Sequence, residues 1–391
     1  MALFDKFRRL EETLQGLRQY SDSFFNVVLE EVISSTEAVI NGRRTILAGT
    51  NNYLGMPHRK EVMEAACRAI EEHGTGTTGS RMANGTYGIH VSMEQELSSF
   101  LKKSNTIVFT TGYSANLAVL STLVGPKDIV ILDADCHASI YDGCRLGGVQ
   151  VYRFRHNDLN DLEKKLKRLS GKGDILIAVE GLYSMLGDRA PLAGIAELKR
   201  RYGAWLLVDE AHSLGVLGEN GRGLAEEVGV ENEVDFVIGT FSKSLGSVGG
   251  YCSSNHEKLE LLRFASRPYV FTASSSPANI EAARAALRLI IKEPELRHRL
   301  WTNANYLYSR LKEMDFVLGP EPSPIIPVRF KEIPRAFAVW NRLLENGVYV
   351  NMVLPPATPD GTALLRCSLS AAHSMEQVES IAKAFESIRD L

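Results

Sequence analysis

Cysteine is scarce in this chain, and its spacing builds nothing. Among 391 residues there are five, Cys67, Cys136, Cys144, Cys252 and Cys367. Their number is odd and no C-x-x-C pair occurs, which argues against structural zinc and against a disulfide-built fold. Most of them read instead as small buried hydrophobes, in a reducing cytoplasm. An excess of charge is missing too. The formal net charge is −3, so no general pull toward nucleic acid or an anionic membrane is expected. No basic cluster is interleaved with aromatics, no internal repeat is visible, and no apolar run is long enough to cross a bilayer. The opening segment, MALFDKFRRLEETLQGLRQY, is charged and amphipathic where a signal peptide has an apolar core. It reads as a surface helix over residues 1–20.

What is present is a soluble, globular balance: 45% hydrophobic and 23% charged residues. EAVINGRRTILAG reads as a hairpin around Asn41-Gly42. From about residue 60, short apolar runs alternate with helical segments. TIVFTTG, DIVILDAD, DILIAVEG, GAWLLVDE and VDFVIGTFS have the rhythm of a mostly parallel sheet between helices. Near Pro277 the rhythm changes to long helices, interrupted at Pro294. Short strands (PIIPVRF, GVYVNMV, ALLRCSLS) and a terminal helix follow. We therefore expect three parts: an N-terminal segment over 1–59, a large α/β domain over 60–280, and a smaller α+β domain over 281–391.

Gly74, Gly76 and Gly79 spell G-x-G-x-x-G, the dinucleotide fingerprint. The fingerprint works mechanically only after a strand and at the start of a helix. Here KEVMEAACRAIEEH, with helical periodicity, comes before the glycines, and a loop-like SRMANGTYG comes after. Helix, glycines, loop is the wrong order, so a nicotinamide or flavin site is rejected.

In open α/β sheets ligands bind at the carboxyl ends of the strands. The polar residues that follow each apolar run are Tyr113; Cys136 and His137; Glu180 and Ser184; Asp209, Glu210 and His212; and Thr240, Ser242 and Lys243. Asp209 ends a run of apolar residues and needs a partner. It could hold a metal, support a base or face a cationic ring nitrogen. DEAH also occurs in nucleotide-driven helicases, but the G-x-x-x-x-G-K-[ST] loop they need is absent. GTFSKSLGSVGG surrounds Lys243 with hydroxyls and glycines, which suits a phosphate beside a nucleophilic amine. A lysine, a phosphate cradle and a buried aspartate one strand away together specify pyridoxal phosphate chemistry.

At this point the chain resembles the α-oxoamine synthases, fold-type I pyridoxal phosphate enzymes. The likeness runs from NNYLG through TGYSANL, DADCHASIYDG, EGLYSMLGD, VDEAHSLG and GTFSKSLGSVGG to RPYVFTAS. GTGTTGSRMANGTY, SIYDGCRLGG and PPATPDGTALLRCSLSAAH resemble the bacterial serine palmitoyltransferase subgroup most. The resemblance implies an aminotransferase-like large domain with a smaller C-terminal domain. It implies Lys243 as the Schiff-base lysine, Asp209 on the pyridinium nitrogen and His137 on the ring face. His212 and Ser184 would border the ring, and Gly112, Tyr113, Thr240 and Ser242 would hold the phosphate.

Thr272 would reach the phosphate of a neighbouring subunit, so the resemblance implies a homodimer with shared sites. Arg366, helped by Asn52, would take the substrate carboxylate. Ser80 and Arg81, in the glycine-rich segment, would reach toward the partner. The implied reaction is the decarboxylating condensation of an amino acid, L-serine in this subgroup, with an acyl-CoA. No metal is implied, and a lipid product would bring transient contact with a membrane. One departure stands out: sphingomonad-type members carry an arginine directly before PPATP, where this chain has Leu354. Alanine or glycine with another acyl thioester remains the alternative, and a catalytically silent scaffold subunit the third reading.

Overall fold

Short turns and strand pairing already separate the chain into two units. The computed structural model describes residues 3–21, 27–355, 357–358 and 361–389. The smaller unit takes in the chain up to Thr50, Met185–Gly187 and the chain from Trp301 onward; the larger takes in Asn51–Ser184 and Asp188–Leu300. In the smaller unit, strands β1 (Glu31–Val32), β2 (Glu37–Ile40) and β3 (Arg43–Leu47) form an antiparallel ribbon. Its hairpin turns at Asn41 and Gly42, both at positive φ (51° and 68°). Those are the values a two-residue type I′ turn demands. The N-terminal helix is found at Arg8–Arg18 with no buried residue; residues 1–2 of the expected span lie outside the described residues.

The larger unit holds seven strands: β4 (Asn105–Phe109), β5 (Ile129–Asp133), β6 (Gln150–Phe154), β7 (Ile175–Glu180), β8 (Trp205–Asp209), β9 (Phe236–Thr240) and β10 (Gly250–Ser254). Their order across the sheet is β4-β10-β9-β8-β7-β5-β6. β5 to β9 are parallel, and β10 alone is antiparallel to both its neighbours. Every residue of β5, β7 and β9 is buried. Helices on both faces leave no side for polar residues, hence the unbroken apolar runs. The helices Gly112–Leu123, Ala138–Gly147, Leu159–Leu169 and Leu192–Tyr202 lie between the strands. Thr111 caps the first: its hydroxyl accepts the Ser114 N–H at 3.0 Å, and the Ser114 hydroxyl accepts the Thr111 N–H at 2.9 Å.

The glycine-rich segment follows helix Lys60–His73, which ends at Gly74 with φ 78°. A loop and helix Gly88–Leu101 come next. No strand leads into the glycines, so the pyrophosphate geometry is absent. Gly79 is required for packing: a Cβ there would lie 1.9 Å from Asn84 Oδ1.

The domain boundaries differ from those expected at 59 and 281. Helix Pro277–Lys292 buries Ile280, Ala283, Leu287 and Ile290 within the larger unit, where it packs on helix Lys60–His73. The boundary therefore falls near residue 300. The chain up to Thr50 joins the C-terminal part because β3 pairs in parallel with β12 (Val348–Tyr349). The remaining strands, β11 (Ile325–Phe330), β13 (Asn351–Val353) and β14 (Ala363–Ser368), form a second small sheet ordered β11-β14-β13. GVYVNMV thus splits between two sheets at Val350, whose carbonyl accepts the Trp340 indole N–H at 2.9 Å. Of PPATPDG, residues Pro356, Pro359 and Asp360 lie outside the described residues. Among the described residues no helix is long and apolar enough to cross a membrane, and all five cysteines are free.

Candidate active site

Because the parallel strands share a direction, their polar last residues meet at one edge. They line a cleft of about 250 Å³ with Gly112, Tyr113, Asn116, His137, Glu180, Asp209, His212, Thr240, Ser242 and Lys243. The start of β10 lies at the same edge, since Gly250 pairs with both Thr240 and Phe109.

Asp209 ends β8 and is only 6% exposed. Its two oxygens are separately engaged. Oδ1 accepts the Ala211 N–H at 2.9 Å, and Oδ2 accepts Asn116 Nδ2 at 2.7 Å. Asn116 also donates to Ser139 Oγ at 2.9 Å, and that hydroxyl lies 2.7 Å from His137 Nδ1. A hydrogen-bonded chain therefore runs from the aspartate to the histidine. The main-chain N–H of His137 goes to Glu180 Oε1 at 2.5 Å. Glu180 is the register partner of Asp209 on β7. Burial first, and then the charge of Asp209, push its carboxyl above the ordinary range. Burial also lowers the pKa of His137; Asp209 opposes that and Lys243 adds to it. His137 is accordingly neutral at neutral pH. On the other side His212 is held through Nδ1, 2.7 Å from Tyr53 Oη.

Lys243 sits in the loop between β9 and β10. Beside it Thr240 Oγ1 and Ser242 Oγ are 2.9 Å apart, and Thr240 Oγ1 donates to the Gly249 carbonyl at 3.1 Å. The helix that starts at Gly112 brings its N-terminal N–H groups to these hydroxyls. Only glycine fits there, since a Cβ on Gly112 would lie 2.8 Å from Thr240 Cβ. N–H groups and hydroxyls gathered at a helix N-terminus make an anion cradle. The Tyr113 hydroxyl bonds Asp142 and so ties this first helical turn to helix Ala138–Gly147.

The structure thus brings Gly112, Tyr113, His137, Asp209, His212, Thr240, Ser242 and Lys243 together. Ser184 is half-buried beyond β7 and does not line the cleft. Asn52 precedes Tyr53, which contacts His212. Arg366 lies in the smaller unit on β14, buried, with Nε and Nη2 at 3.3 and 3.2 Å from Ser368 Oγ. Thr272 lines a separate small pocket with Tyr269 and Ser275. Ser80 is half-buried in the glycine-rich loop, where its carbonyl accepts the Gly85 N–H at 2.9 Å.

Arg81 does not reach outward as expected. Its guanidinium is buried, 3.0 Å from Glu94 Oε1 and 3.0 Å from Thr86 Oγ1. A cation at that depth needs a carboxylate, and Glu94 serves both Arg81 and Arg263.

Sequence reasoning missed Asn116, Ser139 and Tyr53. Asn116 carried a signal: it lies one helical turn beyond Gly112 in TGYSANL and therefore on the same face. Tyr53 carried none, because its partner is distant in sequence.

Residues 44–385 match the family described as Aminotransferase class I and II. A serine palmitoyltransferase of Caulobacter vibrioides is 54% identical over 99% of this chain and 96% of its own. Among solved structures, the serine palmitoyltransferase of Sphingomonas wittichii matches with a TM-score of 0.97 at 49% identity, covering 99% of this chain and 98% of its own. A structure described as SPT with PLP internal aldimine also gives a TM-score of 0.97, at 47% identity over 100% of both chains. Matches of this length and identity, on a sheet whose lysine loop and strand-end aspartate share one cleft, lead to one conclusion: the chain belongs to the aminotransferase class I and II family.

Proposed function

We propose that the protein is a pyridoxal-phosphate-dependent acyltransferase. It condenses L-serine with a long-chain acyl-CoA, palmitoyl-CoA above all, to 3-ketodihydrosphingosine, the first step of sphingolipid synthesis. The observation that carries this reading is the convergence of Lys243, Asp209, His137 and the Gly112 helix N-terminus on one cleft. The near full-length identity to serine palmitoyltransferases supports the choice of substrates.

The residues present fit the cofactor. The close approach of Gly112 to Thr240, which a Cβ would block, sets the first N–H groups of the helix beside the Thr240 and Ser242 hydroxyls, the donor set a phosphate needs. Asp209 is oriented by two donors and lines the cleft, as a partner for a ring N–H must. When bound, pyridoxal phosphate supplies an aldehyde for an amine and a ring that draws electron density from the amino acid's α-carbon. Lys243 Nζ would hold the cofactor through its aldehyde and, once freed by the amino acid's amine, would take the proton from Cα. Asp209 would accept a hydrogen bond from the ring nitrogen and so favour its protonated form. His137 would flank the ring, and the Asn116–Ser139 chain keeps it registered to Asp209. The α-carbon would form the new bond to the acyl carbonyl as CoA leaves, and the serine carboxyl would leave as CO2; Lys243 would return its proton to the α-carbon, and a solvent proton would complete the CoA thiol. His212, braced by Tyr53, would border the ring. Arg366 and Asn52 are proposed for the substrate carboxylate on the chemistry of a guanidinium fork and an amide donor.

We further propose a homodimer, since Thr272 does not line the cleft of its own chain, and a cytoplasmic enzyme whose lipid product brings it transiently to a membrane. The test is mass spectrometry of products from serine, alanine and glycine mixed with several acyl-CoAs. The serine–palmitoyl product should dominate; if only alanine or glycine products form, the substrate proposal falls.

A further inference from the structure

Beyond the cleft, at the ends of β5 and β6, lies a second buried charge cluster that the proposed chemistry does not use. His156 Nδ1 is 2.8 Å from Asp133 Oδ1, and Nε2 is 2.8 Å from Asp188 Oδ2. Asp133 is fully buried and Asp188 only 6% exposed. Asp135 adds a third carboxylate 3.7 Å from Nδ1. A neutral imidazole has one N–H, and ionised carboxylates only accept. Both short contacts are satisfied together by the imidazolium. Burial works against that charge, but the bonds to Asp133 and Asp188 overcome it and raise the pKa to about 10. Tyr183 stands edge-on to the ring at 4.5 Å and 89°. Asp133, Asp135 and His156 lie close enough together for a metal ion; a proton on Nδ1, shared with Asp133 at 2.8 Å, fills the same position.

The cluster connects to the site through Asp133. Its Oδ1 also accepts the Asp135 N–H at 2.9 Å, and Oδ2 accepts the Asn157 N–H at 2.9 Å. Its main-chain carbonyl accepts the Cys136 N–H at 3.2 Å. These bonds shape the turn that delivers His137. Asp188 secures the other side, where its carbonyl accepts the Tyr183 N–H at 2.9 Å and its Oδ2 accepts Asn157 Nδ2 at 2.9 Å.

We propose that His156 is a positioning residue for the reaction: clamped between Asp133 and Asp188, it fixes the turn after β5 and thereby the placement of His137. The inference rests on the proposed role of His137. Without the cation, two buried carboxylates face each other across a gap, and the turn loses the anchor that sets its shape.

The test is His156→Gln, which keeps most of the volume and loses the charge. In the apoprotein, amide hydrogen exchange at Asp135–His137 should speed up about tenfold, a local opening of modest size. In the cofactor-loaded protein the visible circular dichroism band should shrink. The dissociation constant for serine should rise about tenfold while kcat at saturation changes by less than about threefold. Asp188→Asn leaves His156 with Asp133 and the more distant Asp135 and should move the same readouts less; it serves if His156→Gln does not fold. Leu198→Ala, a core truncation in helix Leu192–Tyr202, should lower the Tm and leave all of them unchanged. Unchanged exchange at Asp135–His137 in both cluster variants, or equal shifts in Leu198→Ala, overturns the proposal. The exchange measurement needs no cofactor, so a chain that fails to load pyridoxal phosphate or serine counts against the proposed function instead.

Discussion

The two edges of the seven-stranded sheet both carry a cavity, and the larger one is at the wrong edge for chemistry. At the amino ends of β7, β8 and β9, Ile175, Trp205 and Phe236 join Leu123, Leu259 and Leu262 around a space of about 450 Å³. At the carboxyl ends the cleft is about 250 Å³ and gathers Lys243, Asp209, His137 and His212. Volume does not separate the two, but direction does. Parallel strands end together, and the helix that follows β4 starts there, so strand-end side chains and helix N–H groups converge on one side only.

The sharpest way to break this comparison is Lys243→Ala. It should lower kcat/KM by on the order of 10⁴ or more, since the Schiff-base amine and the base go together, and it should abolish the visible band of the Lys243-bound cofactor. Next is Asp209→Asn, which keeps the shape and removes the charge. A loss of about 10²–10³ in kcat, read in a steady-state assay, is expected for a buried electrostatic partner. Asn116→Ala removes one of the two donors that orient Asp209 and should cost roughly tenfold in kcat/KM, the worth of one buried hydrogen bond to a charge.

A pH series sharpens the comparison without touching the cleft. The pKa of His156 is raised from 6.5 to about 10 on folding, so its contribution to stability is complete below 6.5 and is lost as pH rises through 10. The Tm gap between the wild type and His156→Gln should therefore be widest at pH 6 and close toward pH 10 in thermal melts. The smallest effect on activity belongs to the opposite edge. Leu259→Ala should cost about 2–4 kcal/mol of stability and leave kcat/KM within about twofold. A larger loss in a folded Leu259→Ala protein would show that the amino edge is not inert.

Most of the sheet was legible because five of its strands are buried on both faces and write continuous apolar runs. Two strands were not. β6 (QVYRF) is an edge strand with four of its five residues outside the core. β10 (GYCSS) is wholly buried but made of small and polar residues. Its glycine permits close approach, since a Cβ on Gly250 would lie 2.3 Å from the Thr111 carbonyl, and no hydropathy pattern records that need. The strand-end rule found Asp209, His137, His212 and Lys243. It could not find Tyr53 or His156, whose partners lie far along the chain; the outward role of Arg81 came from the family resemblance, and only the position of Glu94 revises it. The domain boundary was misplaced for a related reason: helix Pro277–Lys292 resembles its C-terminal neighbours in sequence, but its apolar face belongs to helix Lys60–His73.

The reversed direction of β10 has a consequence for the lysine. A parallel strand after β9 would require a crossover, and Lys243 would hang on a long excursion. Instead, residues 241–249 leave and re-enter the sheet at the same edge, pinned where Thr240 pairs with Gly250. Such a closed tether samples a small volume, so under the proposed reaction the Lys243 amine, once released, would keep a very high effective concentration beside the carbon it would next serve. The direction of a single strand would thereby hold one group in place for two successive tasks.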